Sequence, residues 1–114
     1  MDNKVEIVSK REDKSYAVKI IAEENGSVLG WAYLYIIFNE QGKGPYGFLE
    51  DVFVNEENRG KGIGTQLVQA VIAEAKKIKC YKIVGTSRYE RPEVHAMYTK
   101  LGFKDYGKEF KMYL

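Results

Sequence analysis

Residues 59–65 read Arg-Gly-Lys-Gly-Ile-Gly-Thr, with glycine at 60, 62 and 64. This run constrains the chain more than any other. The residues before it, 48–54 (Phe-Leu-Glu-Asp-Val-Phe-Val), form a nearly continuous apolar stretch interrupted by one acidic pair, the pattern of a strand covered on both faces. After it, Leu67, Val68, Val71, Ile72, Ala75 and Ile78 recur at helical spacing, with lysines in the last turn where the helix dipole favours them. A buried strand running through a glycine loop into a helix requires a second strand after the helix. Residues 80–86 (Cys-Tyr-Lys-Ile-Val-Gly-Thr) supply it.

The flanking segments complete a mixed sheet. Residues 15–23 and 28–38 are β-branched and aromatic, and the Asn25-Gly26 pair between them is a strong hairpin signal. Asn25-Gly26-Ser27 also matches a glycosylation sequon, but it reads better as this turn. Pro92 can open a second helix, whose apolar face is Val94, Met97, Tyr98 and Leu101, and Gly102 supplies a left-handed stop. Residues 103–106 and 109–114 read as a closing hairpin around Gly107-Lys108, and residues 4–8 as a short first strand. The order β, β, β, α, β, α, β, β predicts an α/β (α+β) mixed sheet rather than a doubly wound parallel one.

The chain has 114 residues, the size of one domain, residues 1–114. Eighteen basic residues against 16 acidic ones give a formal charge of +2, and no basic run is long enough to form a patch, so nucleic-acid binding is not expected. No apolar stretch reaches the roughly 18 residues of a membrane span, and residues 1–11 lack a signal-peptide core. These features predict a cytoplasmic location without membrane attachment. Cys80 is the single cysteine, so a disulfide within the chain is excluded and no metal site is expected.

The 59–65 loop has the physical character of an anion site. Its glycines let the backbone approach a ligand closely and adopt positive φ. The first N–H groups of the following helix have no internal partner and carry partial positive charge, which suits a phosphate or pyrophosphate. Arg59 and Lys61 add charge and Thr65 adds a hydroxyl. Two other phosphate signatures fail. No Gly-Lys is followed by Ser or Thr, and Gly42-Lys43-Gly44-Pro45-Tyr46-Gly47 matches a dinucleotide pattern formally but precedes a strand instead of opening a helix.

Together these motifs resemble the GNAT family of N-acetyltransferases. The family's coenzyme motif begins with Gln or Arg, followed by two residues, Gly, one residue, then Gly or Ala, and Arg59, Gly62 and Gly64 fit it. Its second motif, a short helix ending in Tyr and then Gly-Phe, is matched by Tyr98-Thr99-Lys100-Leu101-Gly102-Phe103. Within the family the segment also resembles the glucosamine-6-phosphate N-acetyltransferases in its Glu-Asp, Cys-Tyr-Lys-Ile and Tyr-x-Lys-x-Gly-Phe stretches. However, Arg91 stands where members often have asparagine.

The resemblance implies an acyl-CoA N-acyltransferase fold and acetyl-CoA as cosubstrate. The coenzyme would be wedged between two splayed strands, one ending at Val54 and one near Thr86. A bulge would free backbone groups of Val52, Phe53 and Val54, with the N–H of Val54 as oxyanion donor. The pyrophosphate would lie on Gly60, Lys61, Gly62, Ile63, Gly64 and Thr65, beside Arg59. Family members usually carry two helices between their first and second strands. Those helices are largely missing here, which implies a compact version and leaves open a homodimer whose second subunit helps build the acceptor site.

Acetyl transfer needs a neutral amine, a stabilised oxyanion and a proton for the leaving thiolate. The resemblance makes Tyr98 the candidate acid, whereas periodicity alone reads it as a core aromatic. Glu50 is the candidate base through a water. Asp51 is its alternative or an acceptor contact, and strand alternation predicts that only one of the two faces the cleft. Arg88 and Arg91 could hold an acidic acceptor or the coenzyme's 3′-phosphate. His95 reads as a surface residue and Cys80 as a small buried hydrophobe. Trp31, Tyr33 and Tyr35 read as core packing rather than an acceptor pocket. The expected function is acetyl transfer to a primary amine: a small molecule, an amino sugar or a protein amine. The competing expectation is a non-catalytic acyl-CoA-binding module.

Overall fold

A computed structural model describes residues 4–114. Strand β1 (Tyr16–Glu24) and strand β2 (Ser27–Ile37) form an antiparallel hairpin. Asn25 and Gly26 both have positive φ, 51° and 81°. A two-residue hairpin turn of this hand requires that conformation at both positions, and Asn-Gly adopts it at low cost. Strand β3 (Tyr46–Val54) pairs antiparallel with β2, and β4 (Ile83–Gly85) pairs parallel with β3, giving the order β1-β2-β3-β4.

Helix α1 (Ile63–Ile78) is the crossover between β3 and β4. Its Leu67, Val68, Val71 and Ala75 are buried against Ala32, Leu34 and Ile36 of β2 and Leu49 of β3. Each of these comes from one stripe of the helix or one face of a strand, as two-layer packing demands. Lys79 closes α1 in a left-handed conformation, its N–H donating to the carbonyl of Lys76. Helix α2 (Pro92–Lys100) begins with proline in its first turn. It ends where Gly102, at φ 104°, turns the chain so that the N–H of Phe103 donates to the carbonyl of Tyr98.

Three expectations change. Residues 4–8 form no strand, and Val5, Ile7 and Val8 are exposed. The last strand of the crossover shortens from 80–86 to Ile83–Gly85, because β3 offers it partners only at Gly47, Phe48 and Leu49. The closing hairpin of residues 103–106 and 109–114 does not form. Gly107 does not take the left-handed φ of a two-residue turn, so residues 109–114 never come back beside 103–106. A strand without a partner leaves its backbone groups to water, so neither terminal segment qualifies as one. Among the described residues, no helix is long and apolar enough to cross a membrane.

Candidate active site

The site is organised by an irregularity in β3. Tyr33 of β2 pairs with Glu50, yet Trp31 pairs with Phe53. Ala32 therefore faces two residues, Asp51 and Val52, and Asp51 takes φ 53°. This is a β-bulge with its extra residue in the left-handed region, which aspartate tolerates better than bulkier residues. The bulge corrects the expectation that Glu50 and Asp51 face opposite ways. Glu50 shares the face of its partner Tyr33. Asp51 reaches the same face, where its Oδ2 accepts a hydrogen bond of 3.1 Å from the Trp31 indole. Val52 and Val54 turn to the other face and pack on the core.

The bulge also separates β3 from β4. Their pairing stops at Leu49–Gly85, so the edge of β3 from Glu50 to Val54 has no strand beside it. Asn55 N–H donates to Leu29 on the β2 side. Alternation then turns the N–H groups of Val54 and Val52 toward the gap. The opening expected beside Val52, Phe53 and Val54 is thus present as backbone geometry.

The chain leaves β3 through a single 3₁₀ turn, Glu56–Asn58, and enters the glycine loop. Gly60 and Gly62 have φ 80° and 81°, and a Cβ at either would meet nothing within 4 Å. Conformation rather than crowding therefore requires glycine there. Gly62 caps α1 without any side-chain hydrogen bond, and the first turn carries no acidic residue. The N–H groups of Ile63, Gly64 and Thr65 precede the first helical bond, from Gln66 to Gly62. They form an uncompensated positive helix end suited to a phosphate.

Arg59 turns back instead of projecting outward. Its Nε donates to the carbonyl of Val54 at 3.0 Å, and its guanidinium lies 6.0 Å from the Phe53 ring centre. It ties the loop to the end of β3. Lys61 is exposed and reaches only Asn58, at 3.4 Å.

Tyr98 stands across the gap from β3. Its ring packs over Gly85, where a Cβ would lie 3.8 Å from Cε2, and tilts against Phe103 at 5.1 Å. Removal from water and, second, the negative charge of Glu50 push its pKa above the ordinary 10.0.

A cavity of about 330 Å³ lies between the helices, lined by Thr65, Gln69, Ala96, Met97, Lys100 and Leu101. Sequence reasoning named Thr65 but missed the other five as lining residues. Their signal was legible as i, i+4 pairs: Thr65/Gln69, Ala96/Lys100 and Met97/Leu101 each lie on one helix face. A larger apolar cavity of about 490 Å³ opens beside β1 and β2, lined by Ser15, Tyr16, Tyr35 and Phe48 among others. It contains no carboxylate, amine or imidazole, whereas the smaller cleft carries Thr65 of the glycine loop and the Lys100 ammonium, which makes it the better chemical candidate.

Arg88 and Arg91 are exposed in the loop before α2, joined by a backbone bond from Arg91 to Arg88 and by no side-chain bond. His95 Nε2–H donates to the Arg88 carbonyl at 2.8 Å and so holds that loop, consistent with a structural role. Partial burial raises the pKa of the Cys80 thiol above the ordinary 9.0, which makes it a poor nucleophile.

The aromatic stripe is the exception. Trp31, Tyr33 and Tyr35 lie on the face opposite α1, not in the core. Trp31 stacks on Phe53 at 4.6 Å, and the Lys19 ammonium lies over Trp31 and Tyr33 at 4.9 and 5.6 Å. Aromatic rings beside Glu50 and Asp51 form a surface suited to a cation.

This arrangement recurs in known proteins. The chain is 36% identical over 73 residues to a probable glucosamine 6-phosphate N-acetyltransferase 2 of Oryza sativa subsp. japonica, a match covering 64% of this chain and 42% of the relative. It is 28% identical over 103 residues to an aminoglycoside N(6')-acetyltransferase type 1 of Stenotrophomonas maltophilia, covering 88% and 67%. In three dimensions it superposes on an aminoglycoside N-acetyltransferase in complex with CoA with a TM-score of 0.67 and 25% identity, covering 82% of this chain and 72% of that one. The chain thus spans well under half the length of the first of these relatives and about two thirds of the second. A family model described as the acetyltransferase (GNAT) family matches residues 2–103, and with the splayed strands, the glycine loop and Tyr98 already in place, the chain belongs to that family.

Proposed function

We propose that this protein transfers an acetyl group from acetyl-CoA to a primary amine of an amino sugar or a related small polyamine. The observation that carries this reading is the gap between β3 and β4, flanked by Glu50 on one side and Tyr98 on the other. The glycine loop lies at the head of α1, and Thr65 at its end also lines the cleft between α1 and α2. The surface of Trp31, Tyr33 and Asp51, suited to a cation, lies on the open face of the sheet beside Glu50.

On this reading the pyrophosphate binds the N–H groups of residues 62–65, and the pantetheine extends the open edge of β3 as an added strand would. Val54 N–H donates to the thioester oxygen as negative charge develops there. The amine arrives as an ammonium and loses a proton to Glu50 through water. Its nitrogen then forms a bond to the thioester carbon. As the C–S bond breaks, the sulfur takes a proton from Tyr98, the nitrogen gives its second proton to water and Tyr98 recovers one from water, so that amide, free thiol and one net proton result. Tyr98, with its pKa raised above the ordinary 10.0, is protonated at neutral pH and so holds the proton that the departing thiolate needs. The names of the relatives support an amino-sugar acceptor, and the carboxylates beside aromatic rings support a cationic one. A binding module without catalysis would need neither an acid nor a base at the gap.

Tyr98→Phe tests the reading. The expected result is a kcat about 100-fold lower with acetyl-CoA affinity within about twofold, because general acids contribute roughly 100- to 10,000-fold. Thiol release over a panel of amino sugars and aminoglycosides, with calorimetry for the coenzyme, measures both. Unchanged turnover removes Tyr98 from the mechanism. Binding without release for every amine overturns the enzymatic reading.

A further inference from the structure

Lys19 holds an unusual position for a lysine on an edge strand. Strand β1 is hydrogen-bonded to β2 alone, and an edge lysine ordinarily holds its charge in water. The Lys19 ammonium instead lies over two rings of the neighbouring strand, 4.9 Å from the centre of Trp31 and 5.6 Å from that of Tyr33. Among the described residues it forms no ion pair, although Glu50 and Asp51 share that face. The rings are held in place for a cation. Trp31 donates to Asp51 Oδ2 at 3.1 Å and stacks on Phe53 at 4.6 Å. A cation over an indole face is attracted by the ring quadrupole, and here the chain supplies that cation itself.

The register fixes where Lys19 stands relative to the reacting centre. Lys19 pairs with Tyr33, and Tyr33 pairs with Glu50, so the three form one row across the sheet. Two strand spacings, about 10 Å, separate the backbones of Lys19 and Glu50. Glu50 is exposed and, among the described residues, in no ion pair. The face therefore offers two places for positive charge, on adjacent strands. One is the aromatic shelf of Trp31 and Tyr33, which Lys19 occupies. The other is the carboxylate of Glu50, which is open. An acceptor with a single ammonium can use the second place and leave Lys19 undisturbed. An acceptor with two ammonium groups brings its second charge to the shelf, where it must displace Lys19 or meet it as a like charge.

We infer that Lys19 is a specificity-determining residue that selects acceptors carrying one ammonium group over diamines and polyamines. It does so by filling the aromatic shelf with the chain's own cation. The selection rests on the acceptor surface proposed above and narrows it, from amino sugars and small polyamines to acceptors with a single amine. The discrimination against a second charge is about two- to fivefold, the equivalent of one exposed cation–π contact.

Trp31 is the only tryptophan of the chain, so its fluorescence reports on the shelf directly and without acetyl-CoA. Butylamine and putrescine share one carbon chain and differ by one ammonium group. Each is titrated into the unaltered protein, Lys19→Gln and Lys19→Arg, with folding checked by circular dichroism. The unaltered protein is expected to bind putrescine no more tightly than butylamine, and a clear preference for putrescine overturns the inference whether or not the variants fold. In Lys19→Gln the ratio of affinities is expected to shift toward putrescine by about two- to fivefold. In Lys19→Arg, which keeps a cation able to stack on the rings, the ratio is expected to stay at the parent value. An unshifted ratio in Lys19→Gln overturns the inference, as does an equal shift in Lys19→Arg or the lack of any Trp31 response to either amine. Thiol release from acetyl-CoA with the same two amines is the second readout. The selection is expected to appear in KM, with kcat within about twofold. The expected binding pattern without thiol release leaves the role of Lys19 standing and refutes acetyl transfer to these amines, whereas release with an unshifted ratio does the reverse.

Discussion

Replacing Gly62 with alanine separates the two demands placed on the coenzyme loop. Gly62 lies at φ 81° with open space where a Cβ would go, so the whole penalty of Gly62→Ala is conformational. Holding an L-residue in the left-handed region costs about 1–2 kcal/mol. The lower entropy of the unfolded alanine chain offsets about 0.4–1 kcal/mol of this. About 1 kcal/mol of net destabilisation remains. For 114 residues at roughly 2.1 cal/mol/K each, the unfolding entropy is about 0.24 kcal/mol/K, and Tm falls by about 4 °C. If the loop relaxes to avoid that strain, the N–H groups of residues 63–65 turn away from a common point. Each charge-assisted bond lost there is worth about 1.5–3 kcal/mol, so acetyl-CoA affinity falls about tenfold or more. Gly64→Ala is the control, because Gly64 is not at positive φ and its Cβ would meet only a Val54 methyl at an ordinary 3.9 Å. It is expected to lose neither stability nor affinity. Calorimetric unfolding and titration with acetyl-CoA measure the pair. If Gly62→Ala matches the parent in both, or if Gly64→Ala is damaged as much as Gly62→Ala, the account of this loop is wrong.

Gly30→Ala tests the bulge from the β2 side: a Cβ there would lie 2.3 Å from the Phe53 carbonyl oxygen and 3.1 Å from Val54 Cα, both backbone atoms. It is expected to cost about 2–3 kcal/mol, lowering Tm by about 10 °C, and a Tm within about 2 °C of the parent would contradict the close approach. Glu50→Gln removes the charge that raises the Tyr98 pKa, so ultraviolet titration, with Tyr98→Phe as blank, is expected to move the Tyr98 transition to lower pH. An unmoved transition would mean that the two do not face each other. Because the folded pKa of Tyr98 lies above 10.0, the unfolded chain loses that proton first as pH rises. The contribution to stability is complete below pH 10 and is lost as pH climbs through the folded pKa. Tm of the parent should therefore fall more steeply than that of Tyr98→Phe above about pH 10, and equal slopes would refute the assignment.

What could be read from the sequence is what depends on neighbours in the chain. The Asn25-Gly26 turn, the glycine loop into α1, the stop at Gly102 and the apolar stripe of Leu67, Val68, Val71 and Ala75 follow from local φ preferences and helical period, and each is present. The uncapped N–H groups of residues 63–65 were legible for the same reason, since a helix end and its glycines are one local unit. Only the tertiary structure decided what lies across the sheet. No residue type in 48–54 announces a bulge at Asp51, because a bulge is a mismatch between two strands and is set by both. That single extra residue turned Asp51 to the face of Glu50, just beyond the point where the β3–β4 pairing ends. The segment at 109–114 carried a strand's pattern, but a strand is defined by a partner, and its own fold provides none. Side-chain period and turn chemistry are properties of the chain, whereas register, splay and strand pairing are agreements between distant segments. In this protein the loop for the donor belongs to the first kind, and the gap where donor and acceptor would meet belongs to the second.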